Sequence, residues 1–238
     1  SLTIDAARKH GADVLALIST DKAVEPSNVM GTTKRAAELL VQAEADRESR
    51  MRICVVRFGN VLGSSGSVVP LFEHQIETGQ SVTVTDPEAT RYFMTVNEAS
   101  GLVLSAASLT AANPERNGAL YVFDMGEPVS ILRLARQLLR LRGLDPDAPG
   151  AINVIGLRSG EKRHESLIYD FEEASSTEIG SIRCVNGARI PTASAEGILE
   201  DLLQSARVND LEQMRALLEQ IAALRPAIEI NKETVLSR

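Results

Sequence analysis

The sequence predicts an α/β fold built on a parallel sheet, and two observations support this prediction. Apolar runs of strand length alternate along the chain with amphipathic segments of helical length. One apolar run, MRICVVRFG at residues 51–59, is rich in β-branched residues and shows no polar alternation. Such a run is typical of a strand that is buried on both faces of a parallel sheet.

The elements follow in a regular order. They are predicted as a helix at 2–10, a strand at 13–19, a helix at 28–46, a strand at 51–59, a loop at 59–67, a helix at 68–79, a strand at 81–86, a helix at 95–109, a strand at 119–125, a helix at 130–143, strands at 151–157 and 181–185, and two helices within 193–224. Gly11, Gly79 and Gly143 end three of these helices. Thr95, with Glu98 three residues later, is the sequence of a capping box. We expect the last helix to pack on a small lobe of the protein rather than to form a coil that binds a partner.

Composition excludes several classes of function. The chain has 238 residues, 44% of them hydrophobic, which is enough for the core of one large domain or two small ones. Its formal net charge is −7 and it has no long basic run, so we expect no nucleic-acid partner. No apolar stretch is as long as a membrane span, and no signal peptide is visible. We therefore expect a cytoplasmic location.

The metal-binding residue types are few and scattered. Cys54 and Cys184 each lie in an apolar, strand-like run, and we expect two buried thiols rather than a disulfide or a metal site. The histidines, at 10, 74 and 164, have no ligand spacing to one another or to a cysteine. The sequence therefore predicts no metal.

A glycine-rich phosphate-binding motif of the form GxGxxG is missing after every predicted strand. The segment at 63–67 lacks that spacing. The chain has no initiator methionine and begins inside a predicted helix. We expect a fragment of a longer protein, and in a dinucleotide-binding fold the first phosphate-binding βα unit would lie upstream of residue 1.

One group of charged residues stands at a predicted strand end, where ligands bind in open α/β sheets. Asp21 and Lys22 follow the strand at 13–19, and Met30 and Lys34 are four apart on the next helix, about 5–6 Å between Cβ atoms. If the loop reverses the chain, these residues converge, and their charges would shift one another's pKa values as proton transfer requires. Composition alone favours the alternative, ordinary surface charges.

Five motifs carry a resemblance to a known family: STDKAVEPSNVMGTTKR (19–35), RFGNVLGSSGSVVPLF (57–72), TDPEATRYFMTVNEAS (85–100), VFDMGEPVSILRLA (122–135) and GLRSGEKRHESL (156–167). The chain resembles nucleoside-diphosphate-sugar 4,6-dehydratases of the capsular-polysaccharide and O-antigen type, within the extended short-chain dehydrogenase/reductases. The resemblance covers most of the chain, in order.

The resemblance implies a partial Rossmann-like, doubly wound parallel sheet whose N-terminal half is missing, plus a small α/β substrate-binding lobe. On this basis, residues 1–125 belong to the NAD-binding domain with interleaved substrate-binding segments. Residues 126–224 form the lobe and the C-terminal helices, and residues 225–238 form a tail.

The implied reaction removes water across C5 and C6 of a UDP-N-acetylhexosamine, with UDP-GlcNAc expected. A tightly bound NAD oxidises C4 and is regenerated in each cycle. By matching position, Lys22 is the base at C5 and Asp21 the acid at the C6 hydroxyl. Lys34 binds the nicotinamide ribose and favours the O4 alkoxide, and Ser19 is a further expected cofactor contact.

Met30 departs from the family's usual tyrosine, which would take the O4 proton. A thioether cannot accept that proton. A branch of the family resembles this sequence in having methionine there, which favours a working variant over a dead site. Thr20, Lys34 or a water held by Asp21 are the candidate acceptors, and the sequence does not choose among them.

The other matched residues bind substrate in the family. Asn60 lies near the diphosphate, the backbone at Ser67 and Val68 offers N–H groups to phosphate, Arg91 and Arg158 face the diphosphate, and Glu161 accepts from the uridine ribose. The alternative for the charged members is a surface ion pair, and for the loop a plain turn and helix start.

Two other functions remain open at this point. One is a UDP-hexosamine epimerase or reductase, and the other is a catalytically silent module that binds nucleotide sugars. We also expect a homo-oligomer, and membrane contact only through a region preceding this segment in a parent protein anchored at the inner membrane. In isolation the segment would expose a sheet edge, which predicts association or poor solubility.

Overall fold

The computed structural model of the chain describes residues 2–45, 50–64, 66–186 and 192–225. The helices are α1 (Leu2–Lys9), α2 (Val29–Ala45), α3 (Val68–Glu77), α4 (Val96–Ala112), α5 (Ile131–Leu141), α6 (Thr192–Val208) and α7 (Leu211–Ala223). Short 3-10 turns occupy Asp21–Ala23 and Pro114–Arg116. The predicted tail lies outside the described residues, except for Arg225.

The strands include several that the sequence did not predict. They are β1 (Val14–Ile18), β2 (Arg52–Arg57), β3 (Asn60–Val61), β4 (Val82–Val84), β5 (Thr90–Arg91), β6 (Phe93–Met94), β7 (Leu120–Phe123), β8 (Val129–Ser130), β9 (Ile152–Val154), β10 (Glu173–Ser176) and β11 (Ile182–Asn186). The predicted strands are all present. The additional strands are β10 and the two-residue strands β3, β5, β6 and β8.

A five-stranded sheet forms the centre of the fold, in the order β1-β2-β7-β11-β10. Strands β1, β2 and β7 run parallel, as predicted. Strand β11 pairs antiparallel with β7, and β10 antiparallel with β11, so the far edge of the sheet departs from the parallel pattern. The sequence did not indicate this hairpin, because EASS at 173–176 is not an apolar run.

Helices cover both faces of the sheet. Ile53 and Val55 of β2 pack with residues of α1 and α2, such as Ile4 and Val41. Their neighbours Cys54 and Val56 point to the opposite face and pack with residues of α4 such as Ala106. Because alternate residues of β2 enter two different cores, the sequence shows a continuous apolar run there. The predicted α/β class and doubly wound sheet are confirmed.

A separate hydrophobic core lies between α3, α5 and the parallel pair β4 and β9. It contains Phe72, Val82, Val84, Ile131 and Leu139. These residues come from both sides of residue 125, since the segments of this small α/β unit are interleaved with those of the large sheet.

Helices α6 and α7 pack against α2, where Leu199 and Ile221 contact Ala36 and Leu39. The expectation that the last helix packs on the small lobe is therefore wrong. The reason is that α2 has a second apolar face, turned away from the sheet, and this face needs its own cover.

Among the described residues, strand β1 forms one edge of the sheet and pairs with β2 alone. The side chains of Val14–Leu17 are partly exposed, and Ile18 is 51% exposed. An apolar edge of this kind presents unpaired backbone groups to another strand.

Within the described residues, no helix has both the length and the apolarity needed to span a membrane.

Candidate active site

Thr20, Asp21 and Lys22 leave the end of β1 and form a compact polar cluster. Thr20 Oγ1 donates to Asp21 Oδ1 at 2.8 Å, and Lys22 Nζ donates to the same oxygen at 2.9 Å. The Asp21 side chain is fully buried, whereas that of Lys22 is 26% exposed. Asp21 Oδ2 is buried and accepts no hydrogen bond from any described residue. One oxygen of this carboxylate therefore has two donors, and the other has none.

Asn60 belongs to the same cluster. Its Oδ1 accepts a hydrogen bond from Lys22 Nζ at 3.2 Å, and β3 places it there by pairing with β6. The resemblance to the 4,6-dehydratases predicts that Asn60 lies near the diphosphate of the substrate. The structure gives it a contact with the lysine and also a place in the wall of the neighbouring cavity.

Helix α2 begins close to the 3-10 turn that carries Asp21 and Lys22. Asn28 Oδ1 accepts from Gly31 N at 2.9 Å, which caps the start of the helix. Ser27 Oγ and Asn28 Nδ2 both donate to Gly160 O, at 2.7 and 3.0 Å. The start of α2 is thereby fixed to the segment that follows residue 157.

Met30 and Lys34 lie on the exposed face of α2, where Met30 is 48% exposed. The side chain of Lys34 makes no hydrogen bond or ion pair with a described residue. The structure thus brings together Thr20, Asp21, Lys22 and Asn60, and it leaves Met30 and Lys34 on an adjoining surface without a bond to them.

Ser19 points into the protein. Its hydroxyl donates to Glu38 Oε1 at 2.6 Å, and Ser19 is only 4% exposed. The side chain therefore attaches the end of β1 to α2. The Ser19 N–H donates to Val56 O at 2.7 Å, so only its carbonyl oxygen remains available for the predicted cofactor contact.

Glu38 is the centre of a buried ion network under the site. Arg57 binds its carboxylate with two hydrogen bonds of 2.7 Å, Arg35 adds one of 3.1 Å, and Glu172 accepts from the other arm of Arg57 at 2.7 Å. Burial would raise the pKa of Glu38, but the charges and hydrogen bonds of the arginines, with the Ser19 hydroxyl, hold this pKa below its ordinary value. The network locks α2, β2 and the end of β1 together.

A cavity of about 240 Å³ adjoins the cluster. All six predicted substrate-binding residues are among those that line it: Asn60, Ser67, Val68, Arg91, Arg158 and Glu161. The start of α3 faces this space, and Ser67 Oγ is buried there without a partner among the described residues. A helix start with free N–H groups favours an anion.

The charged residues of the cavity are not equivalent. Arg91 donates to the carbonyl oxygens of Lys162 and Arg163 at 2.7 and 2.9 Å, and to Glu161 Oε1 at 3.2 Å. The side chain of Arg158 has no such partner among the described residues, and only its backbone N–H bonds to Glu161 Oε2. Arg91 therefore supports the cavity wall, and Arg158 is free to bind a ligand.

Sequence reasoning missed Glu165. It lies in the quoted motif GLRSGEKRHESL, but nothing in the spacing distinguished it from a surface glutamate. Its side chain is only 6% exposed. Burial and the charge of Asp21 raise the pKa of Glu165, while Lys22, Arg91 and Lys162 oppose that shift.

The arrangement suits proton transfer beside a bound anion. A carboxylate and an amine share a hydrogen bond, and Asn60, which accepts from that amine, lines a cavity with a free arginine and a helix start. In the part of the chain that the structure describes, no group of histidine, cysteine and acidic residues could hold a metal ion.

Comparison with known proteins identifies the relatives of this chain. Residues 1–187 match the family described as polysaccharide biosynthesis protein. A capsular polysaccharide biosynthesis protein, CapD of Staphylococcus aureus, is 51% identical over 164 residues, which are 69% of this chain and 26% of that protein. A UDP-glucose 4-epimerase of Rickettsia typhi is 37% identical over 180 residues, or 74% of this chain and 50% of that enzyme.

Solved structures agree on the fold. The Pen protein of Bacillus thuringiensis has a TM-score of 0.66 and 28% identity, with 82% of this chain and 64% of that chain covered. A dTDP-glucose 4,6-dehydratase of Bacillus anthracis, solved in complex with NAD, has a TM-score of 0.56 and 16% identity over 70% of this chain and 56% of that one. The latter likeness concerns the fold alone.

The chain spans about a quarter of the Staphylococcus protein and half of the Rickettsia enzyme. The family match nevertheless covers residues 1–187, which is more than half of the chain, and it confirms the resemblance drawn from the five motifs. The chain belongs to the polysaccharide biosynthesis protein family, whose relatives here include nucleotide-sugar epimerases.

Proposed function

We propose that this chain carries the acid–base and sugar-nucleotide part of an NAD-dependent 4,6-dehydratase that acts on UDP-GlcNAc. The observation that carries the proposal is the hydrogen bond of 2.9 Å between Lys22 Nζ and Asp21 Oδ1, beside the cavity. Elimination of water needs both an acid and a base, and this pair supplies one of each. The product is a 4-keto-6-deoxy sugar nucleotide for surface polysaccharide.

Lys22 and Asp21 act as a unit. With the shared proton on Asp21, Lys22 is a neutral amine that takes the C5 proton, and Asp21 is the acid that protonates the departing C6 hydroxyl. Asn60 Oδ1 accepts a hydrogen bond from Lys22 Nζ and so orients the amine. Thr20 donates to Asp21 and fixes the carboxyl.

The cavity binds the nucleotide part of the substrate. Arg158, whose guanidinium is free, pairs with the diphosphate. The N–H of Ser67 already donates to Ser64 O at 3.1 Å, so the N–H of Val68 and the unpartnered hydroxyl of Ser67 bind a phosphate oxygen. Glu161 lies in the same wall to accept from the ribose hydroxyls, and Arg91 holds Glu161 in place.

The described residues fit part of an NAD site. The unpartnered ammonium of Lys34, one turn after Met30 on an exposed face, is suited to hold the nicotinamide ribose. Ser19 would contribute through its carbonyl oxygen, since its hydroxyl is bound to Glu38 and its N–H to Val56 O. When bound, NAD would supply the hydride acceptor for oxidation at C4 and, once reduced, the hydride donor for reduction at C6. The phosphates of NAD would be held by residues that precede this segment in the parent protein.

An epimerase is the second candidate, because the Rickettsia relative is a UDP-glucose 4-epimerase. Epimerisation at C4 needs the redox step but no acid at C6 and no base at C5. The hydrogen-bonded pair of Asp21 and Lys22 therefore favours the dehydratase. The remaining expectations, a cytoplasmic homo-oligomer whose membrane contact comes only from a preceding region, belong to the same proposal.

The test is to incubate the protein, joined to its expected upstream half, with UDP-GlcNAc and NAD. Mass spectrometry and proton NMR should show loss of one water and a new C6 methyl doublet, without net NADH. An unchanged mass with an inverted C4 would support the epimerase. Saturable binding of UDP-GlcNAc without any product would indicate the silent binding module.

A further inference from the structure

Glu165 is a buried carboxyl that the mechanism above does not use. Its side chain is 6% exposed, and its Oε2 is buried without a hydrogen bond from any described residue. The nearest cation in its own segment, Lys162, is 4.0 Å from that oxygen, whereas Lys162 Nζ lies 2.7 Å from Val24 O. Lys162 is therefore committed to the backbone, and the ion pair with Glu165 is a weak one.

The segment that carries Glu165 packs directly on the residues that follow the 3-10 turn of Asp21 and Lys22. Lys162 reaches the carbonyl of Val24, the residue after the 3-10 turn of Asp21 and Lys22. Gly160 lies so close to Ser27 that a β-carbon there would be 2.7 Å from Ser27 O. Two buried carboxylate oxygens without donors, Asp21 Oδ2 and Glu165 Oε2, thus lie in one region of the protein.

The proton balance of the proposed reaction requires a group other than Asp21 that can hold a proton. The O4 proton is released while Asp21 still carries its own. Oxidation of the C4 alcohol, with electrons passing to the nicotinamide cofactor, releases one proton from O4. Elimination then moves the C5 proton to Lys22 and one proton from Asp21 to the departing hydroxyl, which leaves as water. Reduction at C6 is balanced by return of the Lys22 proton to C5. Over the cycle, Asp21 has lost one proton, and the O4 proton replaces it.

We propose that Glu165 is the positioning residue that holds this proton with Asp21. This inference rests on the proposed function. The two carboxyl groups together carry one proton at rest, two after O4 has been oxidised, and one again when water has left. Met30 cannot hold a proton, so a second buried carboxyl, on a segment packed against the turn of Asp21, takes over that part of the missing tyrosine's role.

The charges around Glu165 support such a role. Asp21 and Lys22 act on it from the 3-10 turn, Arg91 from β5 and Lys162 from its own segment. Burial and Asp21 raise the pKa of Glu165, so its protonated form persists closer to neutral pH than that of an exposed glutamate. A carboxyl of this kind accepts a proton and returns it readily.

The kinetic test compares Glu165→Gln and Glu165→Asp with the wild-type protein joined to its upstream half. Glu165→Gln should lower kcat about 100-fold or more, with UDP-GlcNAc affinity within about threefold, and Glu165→Asp should recover most of the loss. In the wild-type protein kcat should fall at low pH as Glu165 becomes protonated at rest, and Glu165→Gln should lack that fall. Glu173→Gln, at an exposed site on β10, is the control.

A second readout needs no turnover. With 13C-labelled glutamate carboxyls, the signal that Glu165→Gln removes should titrate above the ordinary glutamate range, and Asp21→Asn should move it down. An ordinary titration, or a kcat of Glu165→Gln within threefold of wild type, would overturn the inference. Wild-type protein that forms no dehydrated product would instead remove the proposed function, and with it this role for Glu165.

Discussion

Gly31 of α2 lies against the carbonyl oxygen of Lys22, so closely that a β-carbon at Gly31 would be 2.3 Å from that oxygen. The first turn of α2 can approach the 3-10 turn of Asp21 and Lys22 only because residue 31 has no side chain. This contact fixes the position of Lys22 relative to the helix that carries Met30 and Lys34.

Gly31→Ala should therefore damage both the site and the fold. The alanine has to push α2 away from the 3-10 turn, and we expect the free energy of unfolding to fall by about 1–3 kcal/mol, with loss of turnover. Urea unfolding followed by circular dichroism measures the change in stability.

Gly101→Ala is the matched control. Gly101 is also helical, in α4, but a β-carbon there meets nothing within 4 Å. This variant should gain about 0.5–1 kcal/mol, since alanine is favoured over glycine in a helix. Equal effects of the two substitutions would contradict the assigned contact.

Glu38→Gln should be strongly destabilising. It leaves Arg35 and Arg57, both fully buried, without their shared carboxylate. Loss of one partner of a buried ion pair costs about 3–5 kcal/mol. Chemical unfolding at neutral pH measures this cost, and a loss below about 1 kcal/mol would show that the network contributes little.

The same network predicts a pH dependence. The pKa of Glu38 is lower in the folded protein than its ordinary value of 4.5. Its contribution to stability is therefore complete above pH 4.5 or so and is lost as the pH falls through the folded pKa. Unfolding free energies measured at a series of acidic pH values should fall less in Glu38→Gln than in the wild-type protein, and parallel curves would contradict the assignment.

Arg158→Ala and Arg91→Ala should differ in their effects on UDP binding and on the melting temperature. Arg158 has no partner among the described residues, so its loss should weaken UDP binding about 10-fold or more and leave the melting temperature unchanged. Arg91 holds the backbone at Lys162 and Arg163, so its loss should lower the melting temperature as well. Calorimetric titration with UDP and thermal denaturation separate the two effects. Similar profiles for both variants would show that the distinction between them is wrong.

Lys22→Met should separate an enzyme from a binding module. Methionine keeps the length of the side chain but cannot accept a proton. Turnover should fall by about 10²–10⁴, while the Kd for UDP-GlcNAc changes little, because the proposed nucleotide contacts, at Arg158 and the start of α3, do not involve Lys22. Retention of wild-type turnover would exclude Lys22 as the base.

Much of the fold could be predicted from the sequence, because its local signals agree with its tertiary contacts. The capping box of Thr95 and Glu98 is present at the start of α4, and Gly79 and Gly143 follow their helices with positive φ angles. The continuous apolar run of β2 corresponds to a strand buried on both faces. In each case the residues that determine the structure are neighbours in the chain.

Features that depend on distant residues could not be predicted. The two-residue pair β5–β8 and the hairpin β10–β11 have no distinctive local pattern. The spacing of Arg35 and Glu38 is common on exposed helices, and their burial depends on Arg57 and Glu172 from other parts of the chain. Glu165 was overlooked for the same reason, since only the fold packs its segment against the residues that follow the turn of Asp21.

The central claim is that Asp21 and Lys22 form the acid–base pair of a dehydration, and the most direct test is to run the reaction in D₂O. Proton NMR of the product from UDP-GlcNAc should show a C6 methyl group and deuterium at C5, because Lys22 exchanges its protons with solvent before it reprotonates C5. A product that keeps its C6 hydroxyl and its C5 hydrogen, with C4 inverted, would contradict the claim.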